Sequence, residues 1–116
     1  GPIVLIVEDE RAFRSALAMA LSDEGFEVAT ASNGAVALEL LDDIEPRAIV
    51  LDLNMPVLDG FGFAEAYRKR PGPPAPVIVC TTRRADSRVR SIGARALLSK
   101  PVDIDELVNV VKECAS

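Results

Sequence analysis

Histidine is absent from this chain, and its two cysteines, Cys80 and Cys114, form no Cys-x-x-Cys pair. Zinc sites of the Cys/His kind are therefore excluded. The two thiols read as reduced, cytosolic groups, Cys80 inside a strand and Cys114 near the end, rather than as a disulfide. Long apolar runs are missing as well: no segment has the length of a membrane-spanning helix, and no signal peptide is visible. Positive charge is in short supply. Thirteen Lys and Arg stand against 18 Asp and Glu, leaving a net charge of −5 and a pI of about 4.7. Nucleic-acid affinity rests on Lys and Arg neutralising phosphates, so direct nucleic-acid binding is not expected of so acidic a domain. What the chain does have is apolar bulk. Of its 116 residues 49% are hydrophobic, enough for one domain with one core. The opening Gly1-Pro2, without methionine, reads as a tag-cleavage remnant, so the single domain is expected over residues 3–116.

Short apolar runs alternate with helical periodicity. Ile3 to Val7 reads as a first strand, apolar on both faces as parallel strands are. A helix follows over residues 10–22, with Phe13, Leu17 and Leu21 at helical spacing, ended by Gly25. Residues 27–31 form a second strand. Ser32 or Asn33 caps a helix reaching about Ile44, with Leu38, Leu41 and Ile44 along one stripe and Pro46 closing it. Ala48 to Leu51 is the third strand. Phe61, Ala64 and Tyr67 mark a third helix, which stops before Pro71-Gly72-Pro73-Pro74. Pro76 to Thr81 is a strand, residues 86–92 a short helix, and Ala96 to Ser99 the fifth strand. Asp103 caps the last helix, with Leu107, Val108 and Val111 facing inward. This alternation predicts an α/β fold with a parallel, doubly wound (βα)5 sheet of flavodoxin-like strand order 2-1-3-4-5.

In that arrangement the carboxyl ends of the strands share one crevice. Strand 1 delivers Glu8 and Asp9, strand 3 Asp52 with Asn54 just beyond, strand 4 Thr81 and Thr82, and strand 5 Lys100 before Pro101. Three carboxylates close together raise one another's pKa, and a hard cation such as Mg²⁺, which prefers a few oxygen ligands, removes that cost. A phosphoryl group on Asp52 would share the metal, with Lys100 balancing its charge and the Thr81 hydroxyl donating to it. Phosphoryl transfer asks for little beyond such positioning and electrostatics. Taken singly, each residue has a plainer reading. Asp52 alone could be a turn cap, and Glu8 and Asp9 could merely open a helix, which is the role assigned to Glu10. Partners on three other strand ends favour the site. Asp59-Gly60 reads as turn chemistry with no site role. Thr82 either lines the site or is an ordinary strand residue. Arginines 83, 84, 88, 90 and 95 read as a solvated basic face, with a contact surface for an acidic partner as the sharper alternative.

Five segments together, Val7-Glu8-Asp9-Glu10, Leu51-Asp52-Leu53-Asn54-Met55-Pro56, Asp59-Gly60, Val79-Cys80-Thr81-Thr82 and Ser99-Lys100-Pro101, resemble the receiver domain of a two-component response regulator, of the CheY-like kind. The resemblance covers the whole chain in order and spacing. It implies that Asp52 accepts a phosphoryl group from the phosphohistidine of a sensor histidine kinase or a histidine phosphotransfer protein. It implies Mg²⁺ held by Asp9 directly, by Glu8 through water, by Asp52 and by the backbone carbonyl of Asn54. Thr81 and Lys100 match the residues that contact the phosphoryl group, and Lys100-Pro101 matches a bond that is usually cis. Asn54 and Arg83 would flank the entrance, with Arg83 shielding the phosphoryl group from water. The change would pass through the face formed by helix 4, strand 5 and helix 5 to an output domain or partner, in a cytoplasmic signalling protein that is no enzyme beyond its own phosphorylation and dephosphorylation. Homodimerisation through the last helices is left open. Two positions depart from the pattern: Leu97 stands where an aromatic ring usually does, and Thr82 where a small residue does. Two other functions are weighed: a receiver-like interaction module that works without phosphate, and an aspartyl-nucleophile phosphohydrolase. The second would want an Asp where this chain has Asn54.

Overall fold

A computed structural model describes residues 1–83 and 86–115. The expected alternation is present: β1 (Ile3–Val7), α1 (Arg11–Asp23), β2 (Glu27–Ala31), α2 (Gly34–Leu40), β3 (Ala48–Asp52), α3 (Gly60–Arg68), β4 (Val77–Thr81), α4 (Val89–Ile92), β5 (Ala96–Ser99) and α5 (Ile104–Ala115). The five strands form one parallel sheet in the order β2-β1-β3-β4-β5. This is the doubly wound flavodoxin-like arrangement that the apolar runs predict.

The strands read as unbroken apolar runs because both faces of the sheet are covered. Successive side chains point to opposite faces. Val4, Ile6, Val50, Ile78 and Cys80 pack on one side with Leu17 and Leu21 of α1 and Leu107 and Val111 of α5. Leu5, Val7, Ile49, Leu51 and Val79 pack on the other with Ala37 of α2, Phe63 of α3 and Val89 of α4. Register brings the strand ends level: Val7 pairs with Leu51, Asp52 with Cys80, and Thr81 with Ser99. Glu8, Asp52, Thr81 and Lys100, at or just past those ends, therefore share one edge.

Helix boundaries depart from expectation where local bonding overrides periodicity. α1 starts at Arg11, because Glu10 is an extended N-cap. α2 starts as expected from Asn33, whose side chain accepts from the Val36 N–H at 3.0 Å. It ends at Leu40, not near Ile44. Residues 41–43 tighten into i→i+3 turns, with Asp42 N–H on Glu39 O and Asp43 N–H on Leu40 O, so the apolar stripe outlasts the helix. α4 is only four residues and closes on Gly93 in the left-handed region (φ 68°). On α3 the fully buried aromatic is Phe63, stacked on Tyr67 at 5.8 Å between centroids, and Phe61 is left half-exposed. Asp103 does cap α5, accepting from the Asp105 N–H at 2.9 Å. Arg84, one of the basic tract, lies outside the described residues, as does Ser116 at the end of the expected domain.

Candidate functional site

Three polar side chains are buried among the described residues, and all three sit at the same strand edge: Glu8 (2% exposed), Asp52 (5%) and Thr81 (0%). β1 ends at Val7, so Glu8 leaves the sheet there, held by its N–H on Ala31 O at 3.0 Å. Asp52 is the last residue of β3 itself rather than the first beyond it. Lys100 follows β5 and is drawn over the edge by its N–H on Thr81 O at 3.0 Å. The Lys100-Pro101 peptide is cis, as expected. Glu8, Asp9 and Asp52 each turn one carboxylate oxygen into a cluster whose oxygens all lie within 4.8 Å of one another.

The charges in this cluster are arranged unequally. Lys100 Nζ lies 2.7 Å from Glu8 Oε1 and 3.5 Å from Asp52 Oδ1, so its tighter partner is Glu8. Glu8 also accepts from the Glu10 N–H through Oε2, at 3.0 Å. Asp9 stays exposed. Burial pushes the Glu8 carboxyl above its ordinary value, against the lowering effect of Lys100. Burial likewise raises Asp52, opposed by the charge of Lys100 and the Asn54 backbone N–H. For Lys100, burial works against the ammonium, but the hydrogen bond to Glu8 and the charges of Asp52 and Glu8 outweigh it and hold the pKa up. Three carboxylates face one ammonium, a net of −2 in a site made only of oxygen donors. That composition suits a hard cation and is costly without one. The residues present therefore fit a divalent metal, with Asp9 and Asp52 the carboxylates less engaged by Lys100.

Several site features had no signal in the sequence. Arg14, one turn into α1, donates from Nη1 to the backbone carbonyls of Glu8 (2.8 Å) and Asp9 (3.3 Å) and so braces the acidic pair from behind. Asp59 is the N-cap of α3, accepting from the Gly62 N–H at 2.9 Å, where only a turn was expected. Gly60 is required by close approach. A Cβ there would fall against the Asp52 backbone carbonyl and lie 2.7 Å from Leu53 Cα. Between them Val57 takes a left-handed φ of 68°, spanned by the Leu58 N–H on Pro56 O at 2.8 Å. This is a γ-turn at a β-branched, 84% exposed residue, a strained conformation that folds the β3–α3 loop tightly beside Asp52. Of the remaining expected residues, Thr81 is buried with its Oγ1 accepting from the Arg83 N–H at 2.8 Å. Thr82 is exposed, and Asn54, also exposed, accepts from Arg83 Nη1 at 3.1 Å. Leu97 packs half-buried against the sheet face covered by α2, α3 and α4.

Comparison with known proteins agrees with this fold. Residues 4–112 match the family model for the response regulator receiver domain. The transcriptional regulatory protein PrrA of Mycobacterium tuberculosis is 44% identical over 115 residues, covering 97% of this chain and 49% of PrrA. The chain thus spans about half the length of that curated relative. Among solved structures, the Francisella response regulator 1452 receiver domain superposes with a TM-score of 0.89 at 27% identity, covering 99% of this chain and 97% of that one. The response regulator TrrA of Thermotoga maritima, solved in complex with Mg²⁺ and BeF, does so with a TM-score of 0.84 at 32% identity, covering 98% and 99%.

Proposed function

Because the chain belongs to the response regulator receiver domain family, we propose that Asp52 is its phosphoacceptor, taking a phosphoryl group from the phosphohistidine of a sensor histidine kinase or histidine phosphotransfer protein. The observation that carries this is a buried carboxylate at the end of β3 facing Lys100 at 3.5 Å, with two further carboxylates within 4.8 Å. In the transfer, an Asp52 carboxylate oxygen forms a bond to phosphorus. The P–N bond to the donor imidazole breaks, and its electron pair leaves on the ring nitrogen. No proton need be removed from Asp52, which attacks as the carboxylate. Lys100 holds negative charge on the transferring oxygens, and the Thr81 hydroxyl is free to donate to them while it accepts from Arg83. Mg²⁺ held by Asp9, Asp52 and the Asn54 backbone carbonyl, with Glu8 through water, would neutralise the charge that accumulates there.

Arg83, which donates to Asn54 at the rim, would screen the phosphoryl group from water. The output surface is read as α4, β5 and α5, toward a partner or an output domain, and the domain is read as cytoplasmic. No helix among the described residues is long and apolar enough to cross a membrane. The experiment is to incubate the protein with phosphoramidate and Mg²⁺ and weigh it intact. One phosphoryl adduct is expected in the wild type and none in Asp52→Asn. An adduct of equal yield in the variant rejects the assignment.

A further inference from the structure

The β4–α4 connection carries a second cluster beside the carboxylate pocket, and Arg83 links the two. The Arg83 guanidinium donates from Nη1 to Asn54 Oδ1 on the β3–α3 loop (3.1 Å) and from Nη2 to Asp86 Oδ2 (2.8 Å). Asp86 is shared. Arg88 binds both of its oxygens, with Nε 3.2 Å from Oδ1 and Nη2 2.9 Å from Oδ2, and the Arg88 backbone N–H adds a bond of 3.0 Å to Oδ1. Both guanidiniums lie over the Phe61 ring of α3, Arg83 at 5.3 Å and Arg88 at 4.1 Å from its centroid. The cluster therefore ties the start of α4 to α3 and to the rim of the pocket.

We propose that Arg83 reports the state of Asp52: when Asp52 carries a phosphoryl group, the Arg83 guanidinium leaves Asp86 for the phosphoryl oxygens, and the clamp on α4 loosens. This rests on the reading of Asp52 as phosphoacceptor. Three observations support the exchange. The first is charge. Turning a carboxylate into an acyl phosphate adds about one negative charge and offers three strong acceptor oxygens, while the single charge of Lys100 is divided between Glu8 at 2.7 Å and Asp52 at 3.5 Å. The second is reach. The Arg83 backbone N–H is bonded to the Thr81 hydroxyl inside the pocket, and its guanidinium already touches Asn54, two residues past Asp52. A guanidinium fork also matches phosphoryl oxygens geometrically. The third is cost. Asp86 keeps three bonds from Arg88 when Arg83 leaves, so no charge is orphaned, and the partner abandoned at Asn54 is a neutral amide. The element released is suited to respond: α4 is a single turn ending on a left-handed glycine, anchored in the core by Val89.

The test is amide hydrogen exchange of the whole protein with beryllium fluoride and Mg²⁺ as the probe, read at Val89–Ile92 with β1 as internal control. The expected result is wild-type α4 exchange at least about threefold faster with the probe, with β1 unchanged. Arg83→Gln is expected to exchange fast at α4 without the probe and to gain nothing from it, Arg83→Lys to recover part of the response, and Asp86→Asn to loosen α4 in the resting protein. A probe-induced change of wild-type size in Arg83→Gln overturns the proposal, as does an unresponsive α4 in wild-type protein that phosphoramidate does phosphorylate. Absence of the wild-type phosphoryl adduct overturns the phosphoacceptor reading, and the exchange with it.

Discussion

Asp52→Asn is expected to make the metal-free protein more stable, although it removes the proposed phosphoacceptor. The carboxylate oxygens of Glu8, Asp9 and Asp52 lie within 4.8 Å of one another, and Lys100 is 3.5 Å from Asp52. With an effective dielectric near 20, Glu8, no farther than 4.8 Å, repels Asp52 by at least about 3.5 kcal/mol and Lys100 at 3.5 Å attracts it by about 4.7 kcal/mol. These terms nearly cancel, and Asp9, being exposed, contributes a screened repulsion that narrows the gap further. Burial of the charge then decides the sign, and it is unfavourable: the Asp52 pKa is raised, with desolvation the largest cause. Asparagine keeps the shape and sheds the desolvation cost, a gain of about 1–3 kcal/mol by analogy with other buried charges replaced by neutral groups. A group whose folded pKa lies above its unfolded value stabilises the fold at low pH and loses that contribution as pH rises. Wild type should therefore weaken relative to the variant as pH climbs above 3.8, and the two should converge below it. The assay is urea unfolding followed by circular dichroism, with a chelator near neutral pH, then in acid, then with Mg²⁺. The variant should unfold at about 0.5–1.5 M more urea in chelator, and the advantage should shrink in acid and in Mg²⁺. A variant less stable than wild type in chelator, or an advantage indifferent to both, refutes the reasoning.

Lys100→Met should do the reverse, leaving Glu8 and Asp52 facing each other without their ammonium. A loss of about 3–5 kcal/mol near neutral pH is expected by the same urea assay, mostly recovered on acidification as the two carboxylates protonate. Gly60→Ala should cost about 1–3 kcal/mol by overpacking, since its Cβ would sit 2.7 Å from Leu53 Cα and 2.8 Å from Leu53 Cδ2; Mg²⁺ titration should show weaker binding as the end of β3 shifts. Cys80 is buried, and burial pushes its thiol up to about 12, whereas Cys114 is partly exposed. A disulfide-exchange reagent should therefore label one thiol per native chain, at Cys114, and both only after unfolding.

The fold was legible because its signals are local. Ile3–Val7 and residues 48–51 are apolar at every position, which a strand covered on one face would not be, and the helical stripes of α1 and α5 fall where Leu17, Leu21, Leu107 and Val111 are buried. The assembly of Glu8, Asp52, Thr81 and Lys100 was legible for a related reason. In a parallel sheet the ends of neighbouring strands share one edge, so four distant segments converge once the order is known. Where periodicity was followed too literally it misled. The Leu38, Leu41, Ile44 stripe runs past the true end of α2 at Leu40, and of the aromatics on α3 it is Phe63 that is fully buried, while Phe61, which marked the helix, packs at the core's margin under two arginines.

By itself, then, the sequence determined the alternation of strands and helices, the two-faced core and, once the flavodoxin-like order was chosen among the doubly wound arrangements, the membership of the carboxylate pocket. The core follows from apolar pattern, and the pocket from the edge that neighbouring parallel-strand ends share. Only the tertiary structure decided how the charges are apportioned: Lys100 closer to Glu8 than to Asp52, Arg14 bracing the acidic pair, and Arg83 divided between Asn54 and Asp86. Those choices are made between long, flexible side chains on loops far apart in sequence. They depend on differences of an ångström in where packed helices bring the loops, a quantity that no periodicity in the chain encodes.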